Sequence, residues 1–122
     1  MTFIPFGVVL ALTIGYMYYK HSGQISSKDA EEYLKNGAMV IDVRSPAEFE
    51  AGHLMQAHNM PLDRIEMVAS STVRDKNKSL LLHCSTGVRS GMAKKKLESL
   101  GFKNVFNLGS YDRARKILTG SN

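Results

Sequence analysis

Three consecutive leucines at 80–82 run directly into His83-Cys84-Ser85-Thr86-Gly87-Val88-Arg89-Ser90-Gly91. An uninterrupted apolar run of that length reads as a strand buried on both faces. Downstream, Ala93, Leu97 and Leu100 share one helical face, so a helix over residues 92–100 follows. The single cysteine therefore sits where a strand stops and a helix begins. In an α/β fold, that junction gathers free backbone N–H groups and the positive end of a helix dipole at one point. Arg89 adds a charge that does not titrate in the accessible pH range.

These surroundings favour a thiolate over a thiol, so Cys84 is expected to titrate below the usual ~8.5 and to act as a nucleophile. The bland alternative is a small buried hydrophobe, the usual fate of a lone free cysteine. The residues behind it, Gly87, Arg89, Ser90 and Gly91, favour the reactive reading. One cysteine allows no intrachain disulfide. Four histidines without ligand spacing and one cysteine supply no metal site.

The flanking sequence alternates strand and helix signals. Residues 24–26 supply a short first strand. Ser26 then caps a helix, with Asp29 at its third position and Ala30, Tyr33 and Leu34 on one face. Asn36-Gly37 ends it. Residues 38–43 read as a central strand, with Asp42 in need of a partner. Ser45-Pro46-Ala47-Glu48 is a capping box with proline at the first helical position, and Gly52 closes that short helix. Residues 62–73 carry a helical stripe of Leu62, Ile65, Val68 and Ala69. Residues 105–108 form the last strand, and residues 111–118 the last helix. Short links and strict alternation argue a parallel sheet with helices on both faces and a site at the carboxyl ends of the strands.

Loop length selects the chemistry. Four residues separate Cys84 from Arg89. Tyrosine and dual-specificity phosphatases carry a similar His-Cys loop with five, whereas the sequence resembles the rhodaneses, sulfurtransferases whose loop has four. The resemblance extends to Asp42, Arg44, Glu48, Phe49, Gly52, His53, Ala57, Asn59 and Pro61. Gln56 stands where the family has glycine. Gly109-Ser110 stands where it has two glycines, and Ala114 where it has tryptophan.

The resemblance covers about residues 24–118 and implies a three-layer α/β/α fold with a five-stranded parallel sheet, the domain being placed at residues 22–122. It also implies a catalytic Cys84 and a substrate cradle of Ser85, Thr86, Gly87, Val88, Arg89 and Ser90. Asp42, Arg44, Glu48 and His53 would be structural support. The expected reaction moves sulfane sulfur from thiosulfate or a related donor to cyanide or a thiol through a Cys84 persulfide, without a cofactor. A protein acceptor would use the same chemistry. The alternatives are a non-catalytic binding module of the same fold and, further off, a phosphatase.

Residues 3–19 stand apart, being uncharged and mostly apolar. As a helix they would span about 25 Å, slightly short of a ~30 Å hydrocarbon core. Tyr16, Tyr18 and Tyr19 suit the membrane interface, and Lys20 and His21 stop the run. Residues 1–21 are therefore expected to form one transmembrane anchor, with the domain on the cytoplasmic side by the positive-inside rule. A buried N-terminal helix and a cleaved signal peptide are the rival readings. A net charge of +5 suits an anionic substrate or lipid surface. The Lys94-Lys95-Lys96 run reads as a solvated helix face. No basic stripe interleaved with aromatics points to nucleic acid.

Overall fold

The computed structural model describes residues 3–120, the side chains of residues 17–22 excepted. Four strands, β1 (Met39–Asp42), β2 (Ala57–Asn59), β3 (Ser79–His83) and β4 (Asn104–Gly109), form one parallel sheet in the order β2-β1-β3-β4. The helices are α1 (Phe6–Ser22), α2 (Ser27–Lys35), α3 (Pro46–Ala51), α4 (Ile65–Thr72), α5 (Val88–Ser99) and α6 (Tyr111–Thr119).

Strand periodicity sorts the core into two layers. Leu80, Leu82 and Cys84 point to the face covered by α4 and α5, with Ile41, Ile65, Ala69, Ala93 and Leu97. Leu81 points to the opposite face, with Val40, Ala30, Leu108, Ala114 and Ile117 under α2 and α6. The three leucines are wholly buried because β3 is central and covered on both sides.

The sheet has four strands, not the five expected. Residues 24–26 reach the outer edge of β4 but make only one parallel bridge, Gln24 to Asn107, with Ile25 N–H donating to the Asn107 carbonyl at 3.0 Å. The cause is local. Helix α1 runs to Ser22, and the Ser26 hydroxyl already accepts the Asp29 N–H as the cap of α2, so too little extended chain remains for a ladder.

The expected transmembrane anchor is also corrected. Among the described residues no helix is long and apolar enough to cross a membrane. The apolar stretch does form a helix, but α1 has seventeen residues, a rise of about 25 Å. Pro5 precedes it and its carbonyl accepts the N–H groups of Val8 and Val9; Gly23 follows it. The topology inferred from the positive-inside rule falls with the span. The side chains of Tyr18, Tyr19, Lys20 and His21, invoked for the interface, lie outside the described ones.

Two boundaries also differ. The 62–73 helix divides into a 3-10 turn, Leu62–Arg64, and α4. Helix α5 starts at Val88, four residues before the apolar stripe declares it, so the cysteine loop and the helix N-terminus are continuous.

Candidate active site

Cys84 leaves β3 at its carboxyl end, and the chain bends round the sulfur before entering α5. The bend depends on Gly87, which takes φ +98° as the residue capping α5. A Cβ there would also stand 3.2 Å from the Gly109 Cα, tighter than ordinary contact, so that backbone would have to give way. Gly109, with φ +95°, is the second glycine of this contact, and the Gln24 side chain packs against both.

The loop aims its donors at the sulfur. Gly87 N–H donates to Cys84 Sγ at 2.9 Å, and Ser90 N–H donates at 3.4 Å. The Ser90 hydroxyl lies 3.4 Å from the sulfur. Burial, the largest influence, pushes the thiol up; hydrogen bonds from Ser90, Gly87 and Thr86 together outweigh it and hold Cys84 below its ordinary value. The residue is fully buried, at the floor of the cradle.

Asn107 fixes this geometry, and the sequence reading overlooked it. Its Oδ1 accepts the Ser90 hydroxyl at 2.7 Å and Gly109 N–H at 2.9 Å, and its Nδ2 donates to the Gly87 carbonyl at 3.1 Å. One buried amide thus links the two glycines and the serine around the thiol. The available signal was a lone polar residue inside an apolar strand, Val105-Phe106-Asn107-Leu108. The β4–α6 junction supplies further anchors. Cys84 N–H donates to the Gly109 carbonyl and Tyr111 N–H to the Ser85 carbonyl, while Thr86 bridges Ser110. Ser110, in place of the family's second glycine, caps α6 by accepting Arg113 N–H at 3.1 Å. The Arg113 guanidinium reaches the carbonyls of Leu108 and Ile25.

Arg89 does not point at the sulfur. Its two terminal nitrogens bind Glu48 bidentately, Nη1 to Oε1 at 2.6 Å and Nη2 to Oε2 at 3.0 Å. Nη2 also donates to the Ser85 hydroxyl. The Arg89 guanidinium, with the contacts to Ser45, holds the Glu48 carboxyl well below the usual range. The pair is part-exposed at the rim. Thr86 and Val88 are also at the rim, with Val88 well exposed.

Asp42 and Arg44 form a second, buried pair behind the loop. Arg44 donates its Nε to both carboxylate oxygens at 3.0 Å, its Nη2 to Oδ2 at 2.8 Å and its backbone N–H to Oδ1 at 2.9 Å. Nη2 also caps the Gly52 carbonyl, and the guanidinium lies 4.7 Å from the centre of the Tyr111 ring. Asn59 ties the strand end by donating to the carbonyls of Asp42 and Arg44. His53 stays outside this group: its ring stacks on Phe49 and its Nδ1 meets the Phe49 carbonyl at 2.8 Å. Among the described residues no cluster of His, Cys, Asp and Glu could hold a metal.

His83 is fully buried and neither ring nitrogen has a hydrogen-bond partner. Burial pushes its pKa below 6.5, against the pull of Asp42 3.9 Å away. Below about pH 6.5 the unfolded chain thus binds a proton that the native state refuses, so stability falls as pH drops and is level above. A progressive loss of stability as the pH falls below that point is expected, read by urea unfolding. His83→Gln should flatten that slope; an unchanged slope contradicts the assignment.

The profile of the family described as Rhodanese-like domain matches residues 26–114. The chain is 35% identical over 106 residues to YqhL of Bacillus subtilis, covering 83% of this chain and 82% of that one. It is 36% identical over 69 residues to the thiosulfate sulfurtransferase PspE of Escherichia coli, covering 57% of this chain and 66% of PspE. It is 32% identical to a tRNA uridine(34) hydroxylase of Hamiltonella defensa, of which it spans only 26%. Among solved structures it resembles a rhodanese with anions from E. coli, with a TM-score of 0.60 and 32% identity over 63% of this chain and 91% of that one.

Proposed function

The chain belongs to the rhodanese-like domain family, and on that premise we propose that it is a sulfurtransferase working through a persulfide on Cys84. The observation that carries the reading is the convergence of the Gly87 and Ser90 N–H groups on Sγ. Such preorganised donors stabilise negative charge on sulfur before and after transfer.

The thiolate attacks the outer sulfur of thiosulfate. An S–S bond forms at Cys84, the donor S–S bond breaks, and its electron pair leaves with sulfite. Cyanide or a thiol then takes the outer sulfur and restores the thiolate. The two half-reactions balance without metal or organic cofactor. The buried position of Cys84 requires the loop to admit one more sulfur atom. Ser85, Thr86, Gly87, Val88, Arg89 and Ser90 supply the cradle, with Asp42, Arg44 and Glu48 bracing it. The likeness to PspE supports thiosulfate as a donor. Thiocyanate formation from thiosulfate and cyanide, with parallel double-reciprocal lines, tests the proposal; turnover by a sequential mechanism or none contradicts it.

A second reading concerns α1. Phe6 and Leu12 are 78% and 69% exposed, and Val8, Val9, Leu10, Ile14 and Tyr16 are exposed as well. Steps of 100° spread these side chains over about two thirds of the circumference, with Gly7, Ala11 and Gly15 on the remaining arc, so no single groove on a partner buries them all. The helix is proposed to associate with a lipid surface. The protein should float with anionic phospholipid vesicles and lose this property with Leu10→Lys and Leu12→Lys together; a protein that stays at the bottom of the gradient contradicts the reading.

A further inference from the structure

We propose that Glu48 sets donor specificity, by neutralising the only charged side chain of the cradle and so turning the site toward sulfane donors with fewer negative charges. The inference rests on the sulfurtransferase reading and names the donor class of that same site.

Between Cys84 and Gly91 the one charged residue is Arg89. An unpaired guanidinium there would draw in an anionic donor. Instead, both of its terminal nitrogens are held by the Glu48 carboxylate at 2.6 and 3.0 Å, and Ser85 completes the arrangement. The guanidinium behind the loop, Arg44, is likewise matched to Asp42. His83 is buried, and its desolvation favours the neutral ring. The Arg89–Glu48 pair at the rim and the Asp42–Arg44 pair behind the loop therefore each carry no net charge, and the pull of Arg89 on the Cys84 thiolate is opposed by the carboxylate that holds it. A dianion approaching that thiolate meets repulsion that the paired Arg89 offsets only in part; a monoanion meets half as much.

Glu48 permits a clean test because its other task tolerates glutamine. It closes the capping box of α3, in which Ser45 N–H donates to Oε1 and Glu48 N–H to the Ser45 hydroxyl. Glutamine serves that position as well as glutamate. The two donors are thiosulfate, a dianion, and methanethiosulfonate, a monoanion. Each gives up its outer sulfur to the thiolate, the first releasing sulfite and the second methanesulfinate, with charge conserved in both. Their differing intrinsic reactivity cancels when variants are compared.

In Glu48→Gln the freed Arg89 charge should raise kcat/KM for thiosulfate about tenfold and for methanethiosulfonate about threefold at low salt. The change should lie mostly in KM and shrink in 0.5 M salt, where the Debye length falls to roughly 4 Å. Glu48→Asp keeps the charge and should keep the wild-type donor ratio. Equal factors for both donors, or a shifted ratio that salt leaves untouched, would show a merely structural Glu48 and overturn the inference. Wild-type protein that gains sulfur from neither donor overturns the sulfurtransferase reading and this inference with it. A wild type that loads, with an unmoved ratio in Glu48→Gln, overturns only the role of Glu48.

Discussion

Cys84→Ser is expected to lose sulfurtransferase turnover by a factor on the order of 10⁴ or more, while folding as the wild type does. Removing the nucleophile of a covalent mechanism costs of that order even when the rest of the site survives. Serine nearly preserves the shape of the buried side chain, and its oxygen still accepts the Gly87 and Ser90 N–H groups that meet Sγ. It cannot carry the sulfane sulfur as a persulfide. Thiocyanate production and the urea midpoint, measured on one preparation, separate chemistry from folding. A tenth of wild-type turnover remaining would remove Cys84 from the mechanism.

Asp42→Ala is expected to have the largest effect on stability, a loss of about 3–5 kcal/mol, as when a buried charge loses its partner. Asp42 is fully buried and Arg44 nearly so. Alanine strands the guanidinium and leaves the Arg44 N–H without its carboxylate acceptor. The damage should reach the active loop, because Arg44 lies over Tyr111, whose N–H holds the Ser85 carbonyl. Removing both charges, in Asp42→Ala with Arg44→Leu, should recover part of the loss. Urea unfolding checks both; a loss under about 1 kcal/mol in the single variant would show that the pair is not a brace.

The parts legible in the sequence are those whose signal is local. Leu80–Leu82 declares a buried strand because each side chain meets a covered face. Ser45 to Glu48 declares its capping box because four adjacent residues complete it. Contacts between distant segments were harder to read. Asn107 holds Gly87 from twenty residues away, and Glu48 holds Arg89 across forty-one; no spacing rule predicts either. Arg89 was expected to act on the thiolate through its charge. Only the fold shows that charge matched by a carboxylate. The start of α5 was hidden because Arg89, Ser90 and Gly91 interrupt the apolar stripe, although the helix runs through them. At the N-terminus, hydropathy alone overstated the case: an apolar run was long enough to suggest a span, but seventeen helical residues are too few.

The central claim is that the donors ringing Cys84 hold a sulfane sulfur on that residue. Intact mass spectrometry of the reduced protein before and after thiosulfate measures this directly. A gain of about 32 Da, one sulfur, is expected. It should map to the peptide containing Cys84 and vanish on adding cyanide. A mass unchanged after thiosulfate, with Cys84 still free for alkylation in the unfolded chain, would contradict the account.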